Sequence, residues 1–521
     1  MRAPETSDVS AGGRDGSWPG PLSSAVAQLC SGLRDRVDED TATAFGEVLR
    51  RLSAPLQLAV AGRIKSGKST LVNALIGRRV APTDVGECTR LVTRFQYGTV
   101  DRVEVVLRDG GTRALPFDAD GGIPADLGVE PERISHLEAY LTNAVLRDLT
   151  VIDTPGLGSA EPDAGARTEE VLNPQTALDP VSRSAVAGAE AVLYVVAQGA
   201  RADDRQALSA FRAATAGREA GPGNALAVLN KADVVEPDSV RGSEDDVWSA
   251  AALLAQRQAE LLRPAVTEVL PVIGLLAETA ETDAFRAADA EVLHRLAALD
   301  VETRQMLLLS ADLFTGWECD VAEADRAALL ERMDLYGVRC ALEAIDAEPG
   351  ITAGDLRRRL LEASGVRAVV ARLESAFRSR ADGVKAAAGL ASVSALAETC
   401  GDPAVRRCVH DAIEALLAEP DAHQLRVLEA LTLVSCGEVS MPDDLTEEVI
   451  RVGSGTAVDE RLGLEGRGRQ ELVDYALERA GWWRSFASFG ATPAQSRIAH
   501  VVHRAYFLIW QQLKAADGAV R

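Results

Sequence analysis

Three short strings carry residue types at spacings that suit phosphate and base chemistry. Gly62-Arg63-Ile64-Lys65-Ser66-Gly67-Lys68-Ser69 fits the pattern GxxxxGK[ST]. Glycines in such a turn let backbone N–H groups close around phosphate, and a helix starting there adds favourable partial charge. Gly62 and the run Ile64, Lys65, Ser66, Gly67, Lys68, Ser69 and Thr70 are therefore the candidate phosphate cradle. Lys68 would bridge the β- and γ-phosphates, and Ser69 would ligate Mg²⁺. Downstream lies Asp153-Thr154-Pro155-Gly156. Alone it is an ordinary Asp-Pro-Gly turn; after a phosphate loop, Asp153 is placed to hold Mg²⁺ through water and the Gly156 N–H to approach a γ-phosphate. The third string is Asn230-Lys231-Ala232-Asp233. The Asp233 carboxylate would accept hydrogen bonds from the ring N1–H and exocyclic amine of guanine. Adenine lacks that donor pair and would leave the carboxylate unpaired. The Lys231 stem can cover the base face and Asn230 brace the loop.

Two weaker segments complete the set. Thr83-Asp84-Val85-Gly86-Glu87-Cys88-Thr89 offers a threonine for Mg²⁺ and the γ-phosphate; Thr89 is preferred to Thr83. In Pro271-Val272-Ile273-Gly274-Leu275-Leu276, isoleucine stands where GTPases commonly have serine, so Gly274 and Leu275 offer guanine only backbone contact. Together the segments predict a GTP/GDP site with Mg²⁺.

Each string needs an element to hold it, and the chain supplies them. The phosphate loop follows an apolar run, Leu56–Ala61, and precedes a helical pattern. Leu149–Asp153, Ala191–Ala197, Ala225–Asn230 and Val269–Ile273 are further short apolar runs separated by helical stretches. That alternation predicts a mostly parallel sheet covered on both faces, an α/β phosphate-loop domain. Leu91–Tyr97 and Arg102–Leu107 are expected to form an antiparallel hairpin at the sheet edge. Residues 1–20 read as a disordered tail, and 21–52 as a helix with Leu22, Val26, Leu29, Leu33 and Val37 on one face. The α/β domain is expected over 53–285. From 286 to 521 the pattern is helical, and the last helix, carrying Ile498, Val502, Ala505 and Ile509, is expected to pack on the N-terminal one, leaving the α/β domain as an insertion.

Composition narrows the partners. The 521 residues include 55 basic and 78 acidic side chains, a net charge of −23. Nucleic acid is disfavoured, because phosphate backbones need a basic face. Only five of the basic residues are lysine, and Lys65, Lys68 and Lys231 fall in two of the strings above; Lys385 and Lys514 lie outside them. Seven cysteines with no CxxC pair suit reduced thiols. The polar start and the lack of an apolar run of 18 residues predict a cytoplasmic chain.

The ordered strings AGRIKSGKSTLVNALIG (61–77), APTDVGECTR (81–90), VIDTPG (151–156) and GLLAETA (274–280), with LYGVRCAL (335–342) and LEASGV (361–366), resemble the bacterial dynamin-like GTPases, and most closely the isoniazid-inducible Ini-type group. The resemblance covers about 25–515. It implies GTP hydrolysis, a neck bundle of N- and C-terminal helices, and a trunk whose tip touches lipid somewhere in 380–440. It also implies G-domain pairing, as a homodimer or with a second dynamin-like protein, and peripheral membrane contact and remodelling at the inner face of the cell membrane. Two departures stand out. Dynamins place Gln-Ser where this chain has Ile64-Lys65, and Leu157 replaces the glutamine of Ras-like enzymes. Lys65 is therefore a candidate, with Lys68 and Thr89, for the catalytic set: its ammonium would neutralise charge developing between the β- and γ-phosphates. The aromatic segment Gly481–Gly490 suits either core packing near the neck or a lipid interface. A slow GTP-binding scaffold that serves a second dynamin-like protein is the alternative function.

Overall fold

The computed structural model describes residues 20–83, 91–155, 189–197, 208, 225–243, 246–262, 266, 268–374, 381–400, 402–420, 422–435, 439–455 and 457–518. Nine strands form one sheet in the order β4-β3-β5-β2-β6-β1-β7-β8-β9. They are β1 (Leu56–Gly62), β2 (Thr93–Tyr97), β3 (Arg102–Leu107), β4 (Thr112–Leu115), β5 (Ile134–Leu141), β6 (Leu149–Asp153), β7 (Ala191–Ala197), β8 (Ala225–Asn230) and β9 (Val269–Val272). β6, β1, β7, β8 and β9 run parallel. Their apolar runs are nearly continuous because both faces of the sheet are packed into hydrophobic cores.

The edge hairpin is not formed. β5 lies between β2 and β3, parallel to the first and antiparallel to the second. An interior strand pairs both of its ladders, and β5 brings four buried apolar residues, Ile134, Leu137, Ala139 and Leu141, to that position. Pairing β2 directly with β3 would have left one ladder of β5 without partners.

The principal helices are α1 (Pro21–Leu33), α2 (Glu39–Ser53), α3 (Lys68–Ile76), α4 (Val247–Leu262), α5 (Gly274–Glu281), α6 (Ala287–Ala297), α7 (Glu323–Ala347), α8 (Ala353–Ala363), α9 (Ala381–Thr399), α10 (Pro403–Ala418), α11 (His423–Ser435), α12 (Asp443–Ser454), α13 (Arg469–Phe489) and α14 (Pro493–Gly518). The N-terminal stretch, read as one helix, is two, because the Asp38 carboxylate accepts from the Thr41 N–H at 2.9 Å and caps a new start. One hydrophobic core runs from the sheet through α5, α6 and α7 to Leu360 of α8, past the change of sequence character near 285. Within α7, Asp334 takes φ 54° and ψ 178°, a kink that a non-glycine residue holds only when its surroundings impose it.

The helical remainder has two cores joined by α11. α1 and α2 pack against α9 and α10, with Leu425 and Leu428 of α11. α12, α13 and α14 pack against the other side of α11, at Val427, Ala430, Leu431 and Val434. The last helix therefore does not lie on the first, as its apolar face suggested; it packs on α13 and α11. Its partner is the helix immediately before it, whose short connection makes an antiparallel hairpin the nearest available cover. In the stretch 380–440, Ala386, Ala387, Val393 and Ala397 turn inward onto α1 and α2. The aromatic segment divides: Trp483 is wholly buried, whereas Trp482 is 40% exposed and Phe489, at the turn between α13 and α14, is 94% exposed. Among the described residues no helix is long and apolar enough to cross a membrane.

Lys385 of α9 ties the helices to the sheet. It is 3% exposed, and its Nζ donates to the Arg51 carbonyl at the end of α2 (2.8 Å) and to Glu190 Oε1 before β7 (3.4 Å). Glu190 Oε2 in turn accepts from the Gln57 N–H of β1 at 2.7 Å. Burial pushes the Glu190 pKa up and the Lys385 pKa down, and each charge partly restores the other. Removing one member leaves a buried charge alone, so Lys385→Met is expected to lower unfolding free energy in urea by about 3–5 kcal/mol. The double variant with Glu190→Gln should recover most of that loss; equal stability of the single variant and the parent would exclude the role.

Candidate nucleotide-binding site

The phosphate loop leaves the C-terminal end of β1, with Asp153 at the end of β6 on one side and Asn230, at the end of β8, beyond β7 on the other. Strand ends at such a crevice are where open α/β sheets take ligands. The loop is tightened by the Ser66 N–H donating to the Arg63 carbonyl at 3.2 Å. Lys65 sits at φ 61° on the outer turn and is exposed, as is Ile64 at 46%. α3 starts at Lys68, so its first N–H groups have no partner within the helix and line the cradle beside Ser69 and the partly buried Thr70. Lys68 is buried, and its Nζ donates to the Arg63 carbonyl across the loop at 3.1 Å. Burial pulls its pKa down, opposed by the Asp153 charge.

Ser69 Oγ donates to Asp153 Oδ2 at 2.8 Å. Burial raises the Asp153 pKa; the Lys68 charge and the Ser69 and Thr154 hydrogen bonds act against that rise. The other carboxylate oxygen, Oδ1, is buried with no hydrogen-bond partner among the described residues. A hydroxyl and a carboxylate side by side, the latter short of counter-charge, fit a hard divalent cation such as Mg²⁺. Thr154 fixes this strand end: its Oγ1 donates to the Val60 carbonyl at 2.8 Å. Thr89, Gly156 and Leu157 lie outside the described residues, and Thr83 is exposed on the rim.

On the base side everything meets at Asn230. Its Nδ2 donates to the Ser66 carbonyl at 2.8 Å, while its Oδ1 accepts from the Lys231 N–H at 2.9 Å and the Gly274 N–H at 2.8 Å. One amide thus holds the phosphate loop, the turn predicted to recognise the base and the start of α5. The contact is close enough to require glycine. A Cβ on Gly67, at φ 86°, would stand 2.3 Å from Asn230 Nδ2, and one on Gly274 would stand 2.9 Å from Oδ1. Lys231 turns the chain at φ 60° and exposes its stem. Asp233 follows in a 3₁₀ turn, partly buried; burial raises its pKa, Asp334 of the α7 kink adds to this, and Lys231 opposes it. Leu275 is partly buried beside Gly274.

Behind these residues is a supporting set that no motif announced. Asn73 of α3 donates to Glu278 Oε1 of α5 at 2.7 Å and accepts from the Val80 and Ala81 N–H groups. Arg79 pairs with the same Glu278 at 3.1 Å. The Ile273 N–H donates to the Ser364 carbonyl at 2.9 Å. Asn73, Glu278 and Ser364 each lie inside a string quoted for the family resemblance, which is the one signal that pointed to them.

Residues 58–215 match the dynamin family. The chain is 34% identical over 445 residues to the isoniazid-induced protein IniC of Mycobacterium tuberculosis, covering 84% of this chain and 86% of that one. It is 29% identical over 121 residues to a bacterial dynamin-like protein of Nostoc punctiforme, 20% of this chain and 17% of that one. A tRNA modification GTPase, MnmE of Methylobacterium radiotolerans, is 32% identical over 255 residues, 49% of this chain and 53% of its own.

Three hydrogen bonds of about 1 kcal/mol each end on Asn230. Asn230→Ala is therefore expected to weaken binding of a fluorescent GDP on the order of 100-fold without unfolding the sheet. Gly67→Ala should abolish it by displacing the same amide, and full affinity in either variant would contradict the assignment.

Proposed function

The chain belongs to the dynamin family, beside the isoniazid-induced IniC proteins, and is a GTPase; on that premise we propose that it hydrolyses GTP with Mg²⁺ and couples the cycle to G-domain pairing and to membrane binding and remodelling at the inner face of the membrane. The observation that carries the reading is the convergence of Ser69, Asp153 and Asn230 on one phosphate loop. Mg²⁺ held by Ser69 and Asp153, with Thr89, would neutralise phosphate charge. Everything else is done by the chain's own groups. The loop N–H groups and Lys68 bind and orient the β- and γ-phosphates, so that the attacking water meets phosphorus in line. The Asp233 carboxylate selects guanine, while Asn230 keeps the two loops at the spacing of one nucleotide. Gly156 and Thr89 would sense the γ-phosphate and release on its departure.

With Ile64 and Leu157 where related GTPases carry polar groups, charge stabilisation falls to Lys65, whose left-handed backbone sets it on the loop's outer turn. A pairing G domain would bury that rim and bring the exposed ammonium over the phosphates, which makes turnover depend on protein concentration. For the lipid contact, the hairpin turn of α13 and α14 supports the reading best. Phe489 is exposed there, and Trp482 stands on the same helix with Arg479 4.3 Å over its ring, a combination that suits an interface.

GTP turnover by the full chain should rise with protein concentration and again with anionic liposomes, and Phe489→Asp should remove the liposome response and co-sedimentation. Tight GTP binding with negligible turnover under all these conditions would instead make the protein a scaffold for a second dynamin-like protein. Lys65→Ala is expected to lower turnover about tenfold at unchanged GTP affinity, near 1.4 kcal/mol of transition-state stabilisation; parent-rate hydrolysis would remove Lys65 from the catalytic set.

A further inference from the structure

At the opposite end of β1 from the phosphate loop, the end of α2 and one face of the sheet enclose a cavity of about 120 Å³, lined by Arg50, Arg51, Gln57, Arg94, Glu138 and Thr150 among others. Gln57 and Gly62 are five residues apart on one strand, about 17 Å, so this is not an extension of the nucleotide crevice. The lining side chains lie on one face by register: Gln57 opposite Thr150, and Arg94 opposite Glu138. Three guanidinium groups face one carboxylate here, in a chain whose net charge is −23.

The carboxylate does not satisfy them. Glu138 accepts from Tyr140 Oη at 2.6 Å and lies 3.5 Å from His136. Arg94 has no ion pair within 4 Å among the described residues, and its Nε is buried with no hydrogen-bond partner. Burial lowers its pKa, as expected of a cation short of counter-charge, with Glu138 only partly opposing. Arg50 and Arg51 both reach Glu47, but Arg51 does so through Nε alone, which leaves the outer fork of its guanidinium. A guanidinium whose Nε is buried without an acceptor is costly, and two forks around a small polar cavity suit a tetrahedral oxyanion.

We propose that this cavity is a binding site for a phosphate-class oxyanion, held by the guanidinium groups of Arg94 and Arg51 where α2 enters the sheet. The position gives the ligand a consequence independent of the GTPase reading. It bridges the end of α2 to β1, β6, β2 and β5, next to the point where Lys385 fastens α9 to the Arg51 carbonyl. A bound oxyanion therefore stiffens the joint between helices and sheet.

The test uses the full chain loaded with a non-hydrolysable GTP analogue, so that every phosphate position of the nucleotide site is filled. Equilibrium dialysis against radiolabelled orthophosphate in chloride buffer should find one further phosphate per chain. Arg94→Gln should weaken it at least tenfold, and phosphate should raise the thermal midpoint of the parent but not of the variant. Should Arg94→Gln fold poorly, Arg51→Gln, on the rim, must show the same loss. Vesicles of phosphatidic acid, compared with phosphatidylcholine, separate the sources. Retention that Arg94→Gln abolishes identifies a lipid phosphate, and phosphate binding without retention identifies the free anion. Absence of both, or binding indifferent to Arg94 and Arg51, overturns the proposal.

Discussion

The amide of Asn230 is the constraint on which the nucleotide crevice depends. It is in contact with the phosphate loop, the predicted base turn and the start of α5, and it uses both its donor and its acceptor to hold them. A carboxylate of the same size would lack the donor for Ser66, and a longer amide would overrun the space that Gly67 and Gly274 leave open. Strand β8 delivers the residue from a buried sheet. Rigid elements carry the site, and the loops inherit their position from them.

From that point order passes outward through paired contacts. Asn73 and Glu278 lock α3 to α5, Thr279 Oγ1 donates to the Arg332 carbonyl and so fastens α5 to α7, and Arg332 pairs with Asp289 of α6. These helices share one core with the sheet, and close-packed interiors move as bodies rather than yield locally. The kink at Asp334 interrupts that body, and its charge acts on Asp233. The turn predicted to recognise the base is thus within electrostatic reach of the one place in α7 where the helix is already broken.

The legible parts of the chain were those whose chemistry is local. β1 and β6 to β9 are mostly apolar and announce themselves as runs, and the candidate phosphate and guanine residues between them occur at fixed spacings. Less legible was β5, whose buried Ile134, Leu137, Ala139 and Leu141 are interleaved with Ser135, His136, Glu138 and Tyr140, and whose place in the sheet is a choice among distant partners. Asn73 and Glu278 stand 205 positions apart, so nothing near either residue marks the pair. Lys385 was a lysine without a motif because its partners are at Arg51 and Glu190. The last helix showed a correct apolar face and no indication of which helix would cover it.

The Lys385–Glu190 contact behaves unlike the apolar surface around it when the protein is warmed. Hydration of charged groups becomes less favourable as temperature rises, so the penalty for keeping this pair from water falls, while the gain from each unit of buried hydrocarbon levels off. The junction between α9, α2 and the sheet therefore retains its grip over a range in which the alanine-rich packing of α9 on α1 and α2 no longer strengthens. On heating, α9 should part from α1 before it parts from the end of α2 and the sheet.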